Sequence, residues 1–153
     1  MIRVLVPLTL LGNGIGAGVM LSTVLGVVPL TLVLPYERYI RTIQFLWPRY
    51  DPFMPAVNAL TFVLDIVVAV LAPDATGRIL FTSAAVLLAA VMFISVIKNV
   101  PINKYVTSLD PDRPPDDWTA RDPRVRWRNW NLARTSLALL ALAMNVAGTG
   151  ALL

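Results

Sequence analysis

The chain contains no cysteine and no histidine, and only 14% of its 153 residues are charged. Without thiols there is no disulfide, no thiol nucleophile and no Cys-x-x-Cys zinc or haem-attachment motif. Without imidazole there is no Ser-His-Asp triad and no His-ligated iron or copper. Carboxylate-only Mg or Ca sites stay open, and the missing cysteine is compatible with either redox compartment. The scarcity of charge excludes more. A soluble domain is about a quarter charged and near half apolar. Here 57% of the residues are hydrophobic and the mean hydropathy is +0.69. Too little polar side chain remains to coat a water-facing surface. The apolar excess needs lipid as a second solvent, so the chain reads as a single integral membrane domain over residues 1–153.

Between Val4 and Leu34 there is no charged residue at all. As a helix that run would be roughly 46 Å long at about 1.5 Å per residue, against a hydrocarbon core of about 30 Å. Pro7 and Pro29 mark kinked or interfacial ends. The first helix is therefore expected over about residues 10–34, with its spanning part near Leu10 to Val28. Its length and the lack of a small-residue cleavage site set it apart from a cleaved leader. Further apolar runs predict helices over about 53–72, 79–97 and 132–153. A polar stretch over 98–131, Pro-rich between Asp110 and Asp117, reads as a loop with room for a short interfacial helix. No internal repeat of the transporter kind is visible. The expected fold is all-α: a four-helix transmembrane bundle with a long cytoplasmic loop between helices 3 and 4.

Charge sets the orientation. The two connections on one side hold Arg38, Arg41, Arg49, Lys98, Lys104, Arg113, Arg121, Arg124, Arg126 and Arg128, with Arg134 at the edge. The other side has only Arg3 and Arg78. The positive-inside rule then predicts both termini outside and the basic connections in the cytoplasm. The formal charge of +4 is read as topology. No nucleic-acid-reading module accompanies it, so no nucleic-acid partner is expected.

Several motifs have a structural and a chemical reading. Gly12-Asn-Gly-Ile-Gly-Ala-Gly18 formally matches a dinucleotide fingerprint, but no strand precedes it and no βαβ unit surrounds it. Gly12/Gly16 and Gly14/Gly18 are instead small-xxx-small spacings that let helices approach closely. With the compact size, they leave a homo-oligomer open. Asp65 lies deep in the second apolar run, on one face with Asn58. A carboxylate there should face the bundle interior. It is either a proton acceptor or a neutral acid bonded to a neighbouring helix, with Asn13, Asn145 and Ser95 as candidate partners. Trp127, Asn131 and Arg134 fall at i, i+4 and i+7, on one face of the fourth helix as it enters the membrane. Asn99 and Asn103 share a face if the third helix continues through Pro101. These amides, the indole and the guanidinium could orient a flat oxygenated ligand, with Arg134 holding an oxyanion. They could equally be an interfacial Trp and an Arg snorkelling to headgroups. Asp51, before Pro52, is expected to cap the second helix.

At these residues the chain resembles a known family. Asn99-Val-Pro-Ile-Asn103, then Trp118, then Arg126-Trp-Arg-Asn-Trp-Asn-Leu-Ala-Arg-Thr135 are similar to the motifs of the anthrone-oxygenase-like small membrane proteins. Asp51-Pro-Phe-Met-Pro55 is similar to the bacterial branch. Relatives often carry His after the motif's Asn, where this chain has Leu132, so chemistry that needs that imidazole is closed to it. The resemblance implies a multi-pass protein of the bacterial inner membrane that tailors polyketides or other natural products. Fungal members oxidise anthrones to anthraquinones.

The leading expectation is a cofactor-independent enzyme acting on a lipophilic small molecule, with membrane lipid as its other partner and no metal. Arg134, Asn131, Asp65 and Asp51 are the candidate catalytic residues, with an Asp as base. Asn99, Asn103, Trp127, Trp130 and Asn58 are the candidate substrate contacts. A non-oxidative cyclase or isomerase would use the same groups. In a non-catalytic subunit or lipophile-binding protein they would serve helix contacts instead. An enzyme or a binder needs a cavity of some hundreds of Å³ near the basic face.

Overall fold

The computed structural model describes residues 1–152; Leu153 lies outside them. Four helical segments, Ile2–Val33, Tyr36–Leu71, Ala75–Thr107 and Trp118–Ala151, are long and apolar enough to cross a membrane. Ile2–Val33 is α1. The second segment divides at a turn into α2 (Tyr36–Tyr50) and α3 (Phe53–Leu71). Ala75–Thr107 is α4. The fourth segment divides into a single turn, α5 (Trp118–Arg121), and α6 (Arg124–Ala151). Helices α1, α3, α4 and α6 form a ring in which each packs on the next and α6 closes onto α1.

Their interior is built from small and β-branched side chains. Gly12 of α1 lies so close to α3 that a Cβ there would stand 2.5 Å from Thr61 Oγ1, and one at Gly16 would stand 3.0 Å from Asn58 Oδ1. Between α4 and α6, Phe81 occupies the space left by Gly148, whose Cβ would meet the ring at 2.9 Å. The close-approach reading thus holds for Gly12 and Gly16. Gly14 and Gly18 have nothing within 4 Å and point away from the bundle.

The polar connections are far more helical than expected. The long loop over 98–131 is not seen. Helix α4 runs through Pro101 to Thr107 and α6 starts at Arg124, which leaves 108–123 as the connection, with α5 inside it. Residues 36–50, expected as a loop, form the amphipathic α2, which buries Tyr39, Ile40 and Ile43. The first helix begins at Ile2, well before residue 10.

Tertiary packing supplies the reason. A cluster of Val28, Tyr39, Ile40, Ile43, Ile102, Val106 and Trp127 makes a second, water-side core beyond the membrane bundle. Trp118 stands edge-on to Tyr36 at 4.7 Å above it. Orphan carbonyls at the helix ends are satisfied by side chains. Gln44 donates to the carbonyls of Thr107 and Leu109 at 3.2 and 3.0 Å. Arg124, gripped by Asp122 at 2.8 Å, donates to the carbonyls of Leu34 at 2.8 Å and Thr31 at 3.2 Å. A cation at a helix C-terminus also complements its dipole.

Prolines shape α1 and α4 in the same way. Each helix widens into a π turn, Thr23–Val27 and Ser95–Asn99, that ends two residues before Pro29 or Pro101. Proline has no N–H to donate and its ring crowds the preceding turn, so the helix loosens upstream of it. Each π turn opens on a hydroxyl that bonds back one turn: Thr23 Oγ1 donates to Val19 O at 2.9 Å, and Ser95 Oγ to Val91 O at 2.7 Å. Both turns flank the same interior space.

Candidate functional site

That space is a cavity of about 270 Å³ between α1, α2, α3, α4 and α6, where the membrane bundle meets its water-side core. Methionines 20, 54 and 92, with Ile43, Leu46 and Trp47, make most of its wall apolar. Its polar groups gather where α4 and α6 face each other. Ser95, Asn99 and Asn103 follow at i, i+4 and i+8 on α4, and Trp127 and Arg134 come from α6.

The network among them is directional. Arg134 donates through Nη2 and Nε to Asn131 Oδ1 at 2.7 and 3.2 Å, and through Nη1 to Ser95 Oγ at 3.2 Å. Asn131 Nδ2 donates to Trp127 O at 2.8 Å, and Trp127 Nε1 to Asn103 Oδ1 at 2.9 Å. Trp127, Asn131 and Arg134 therefore share the face their spacing implied. Two features stand out. Among the described residues no carboxylate pairs with Arg134. Asn99 is 1% exposed, and neither its Nδ2 nor its Oδ1 has a partner. A buried amide left unpaired costs about 1–3 kcal/mol, which a ligand bearing a carbonyl or hydroxyl would recover.

Of the residues singled out from the sequence, Asp51, Asn58, Asn99, Asn103, Trp127 and Arg134 line this cavity. Asn131 stands behind Arg134 and orients it. Trp130 packs against the water-side core, with Lys98 Nζ 5.2 Å from its ring centroid. Asp51 does not cap α3. Pro52 occupies the cap position and no side chain bonds there, because the chain from α2 continues through a helical turn at Asp51. The carboxylate is left free to line the cavity wall.

Asp65 lies elsewhere. It is fully buried in the other half of the bundle, beside the Asn145 amide. Neither Asp65 oxygen nor either Asn145 side-chain atom completes a hydrogen bond, and Asn13 Nδ2 is likewise unpaired. Ser95, once a candidate partner for Asp65, serves Arg134 instead. Sequence reasoning passed over Ser95 as a cavity residue, although its four-residue spacing from Asn99 and Asn103 carried the signal. Tyr50 and the methionine lining gave no signal, since apolar residues in a membrane helix face lipid and interior alike.

Fold and cavity together define a multi-pass membrane protein whose bundle encloses an apolar chamber with a cationic, amide-bearing end. The chain belongs to the anthrone oxygenase family, whose profile matches residues 45–144, a stretch that includes every polar cavity residue except Thr23. No curated protein and no solved structure matches it.

Proposed function

We propose that this protein is a cofactor-independent membrane enzyme that tailors a lipophilic, polyketide-like natural product, oxidising an anthrone-type substrate with dioxygen. One observation carries the reading: a guanidinium with no carboxylate partner and a buried, unpartnered amide share the polar end of a chamber whose wall is mostly apolar. An anthrone matches that division, with its flat hydrocarbon body against the methionines and its carbonyl oxygen at Arg134. Removing a C–H proton moves negative charge onto that oxygen, and the fixed donors of Arg134, held by Asn131 and Ser95, favour the enolate. Asn99 and Asn103 orient the ring edge. Asp51, the carboxylate in the cavity wall, takes the proton. The carbanion then adds dioxygen. Protonation gives a hydroperoxide, and loss of water leaves the quinone, so one oxygen atom enters the product and the other leaves as water.

The basic connections place this site on the cytoplasmic side in our reading, with both termini outside, in a bacterial inner membrane. The test is oxygen consumption by the detergent-purified, metal-stripped protein with a simple anthrone, against Arg134→Ala. Uptake above autoxidation that disappears in the variant is the expected result. Uptake no faster than autoxidation overturns the oxygenase reading. Conversion of a polyketide without oxygen uptake would point to a cyclase or isomerase using the same proton-transfer groups.

A further inference from the structure

The cavity is not closed on all sides. Ala59 of α3 and Val96 of α4 line it, yet both are exposed on the outer face of the bundle, Val96 by 65%. Exposed lining residues thus stand on both sides of the seam between α3 and α4. A second, shallower groove of about 680 Å³ runs along the same seam. Phe62, Ile66 and Val70 line it on α3, and Ala89, Val86 and Thr82 on α4.

The two helices are antiparallel, and their register is pinned at the far end, where Arg78 Nε donates to Ala72 O at 2.9 Å. From that contact the groove's lining steps inward through Val70, Ile66 and Phe62 on α3 and through Thr82, Val86 and Ala89 on α4, and the cavity is lined further along by Ala59 and Met92. The groove's lining thus stops about one helical turn short of the cavity's on each helix. It exists because α4 presents Ala85 and Ala89 where longer side chains would fill the seam. From Thr82 to Val96 the track rises roughly 21 Å at about 1.5 Å per residue, more than one leaflet's share of a core about 30 Å thick.

We propose that this seam is a lateral track through which a single-tailed amphiphile reaches the cavity from the lipid phase, with its anionic or oxygenated head at Arg134 and its hydrocarbon tail along α3 and α4. The inference rests on the cavity being the substrate chamber, and it adds the substrate's class: a lipophile with a tail, taken from the bilayer. Charge complementarity selects the head, because Arg134 lacks a carboxylate partner. Nearness to the cavity along one seam selects a hydrocarbon tail, since Phe62, Ile66, Val70, Ala85, Val86 and Ala89 make the groove's lining mostly apolar.

Trp47 and Trp127 line the cavity, so a bromine beside Arg134 quenches their fluorescence. The experiment titrates the full chain in nanodiscs with 2-bromohexadecanoate and with 2-bromobutyrate. Saturable quenching by the long probe, at least about tenfold tighter than by the short one, is expected because each buried methylene adds affinity. Val86 is 63% exposed, so substitution there should leave the fold intact. Val86→Phe should weaken the long probe at least about fivefold and leave the short one alone, and Ala59→Leu on the same seam should do the same. Arg134→Ala should abolish saturable binding of both.

Equal affinity for the two probes overturns the track while leaving the chamber intact. Long-probe quenching that neither saturates nor responds to Val86→Phe is partition into lipid, and also overturns it. Saturable quenching that survives in Arg134→Ala means that another group holds the head, and overturns the head placement. Quenching by neither probe removes the anion-binding chamber and the track together. Oxygen uptake with a tail-free anthrone reports separately on the enzyme.

Discussion

Arg134 is held by Asn131 and Ser95 through three hydrogen bonds that leave its remaining donors toward the cavity. The geometry depends on the planar fork of a guanidinium. Arg134→Lys keeps the charge but not the fork, and is expected to lower kcat by about 10²-fold, as loss of an oriented oxyanion donor does. Its thermal transition should match wild type, which a scan of the purified protein would check. The two aspartates separate in the same way. Asp51→Asn removes the proposed base and should cost about 10²–10⁴-fold in turnover. Asp65→Asn, far from the cavity, should leave turnover at wild-type level. Turnover that falls in Asp65→Asn and survives in Asp51→Asn would exchange their roles. Both residues were visible in the sequence as candidate acids. Nothing in the spacing of residues 51 and 65 said which one would reach the space before Arg134, because that depends on where the chamber opens.

Helix α1 meets α3 through Gly12 and Gly16, and the contact is tight enough to make a sharp comparison. A side chain at Gly12 collides with Thr61 Oγ1 at 2.5 Å, whereas one at Gly14 meets nothing within 4 Å. Gly12→Val should therefore destabilise the bundle by about 1–3 kcal/mol, and Gly14→Val should stay within about 0.5 kcal/mol of wild type; denaturant titration of both would test this. The two spacings look alike in the sequence. Only the rotation of α1 about its axis distinguishes them. The π turn at Ser95–Asn99 raises a similar point. Pro101 signalled a break, and the sequence expectation ended the helix near it. Instead the helix loosens over one turn and continues, so that Ser95, Asn99 and Asn103 all reach the cavity. Pro101→Ala restores the missing N–H and lets the turn tighten, which should swing Asn99 away and reduce turnover while leaving the helix content by circular dichroism unchanged.

Four long helices overhang a bilayer core by roughly 20 Å, at about 1.5 Å per residue, and the excess carries most of the basic residues. The absence of cysteine makes the orientation easy to probe, since any introduced thiol is the only one. Ser108→Cys lies at the exposed basic end and Thr76→Cys at the other. In intact cells an impermeant maleimide should label Thr76→Cys and spare Ser108→Cys until the cells are opened; the reverse pattern would invert the topology. Local composition was enough to establish that the chain is membrane-embedded, all-helical and four-spanning. Partition into lipid is a sum over neighbouring side chains, and each apolar run carries its own answer. The family motifs around Asn99, Asn103 and Arg134 were legible for the same reason, being contiguous. The helical state of residues 36–50, 100–107 and 124–131 was not, because polar segments fold there only when Tyr39, Ile102 and Trp127 have one another to pack against. Nor was the separation of Asp65 from Arg134, or the seam between α3 and α4. Those depend on helix rotation, glycine contacts and two loosened turns, none of which a periodic apolar pattern encodes when lipid and interior are equally apolar.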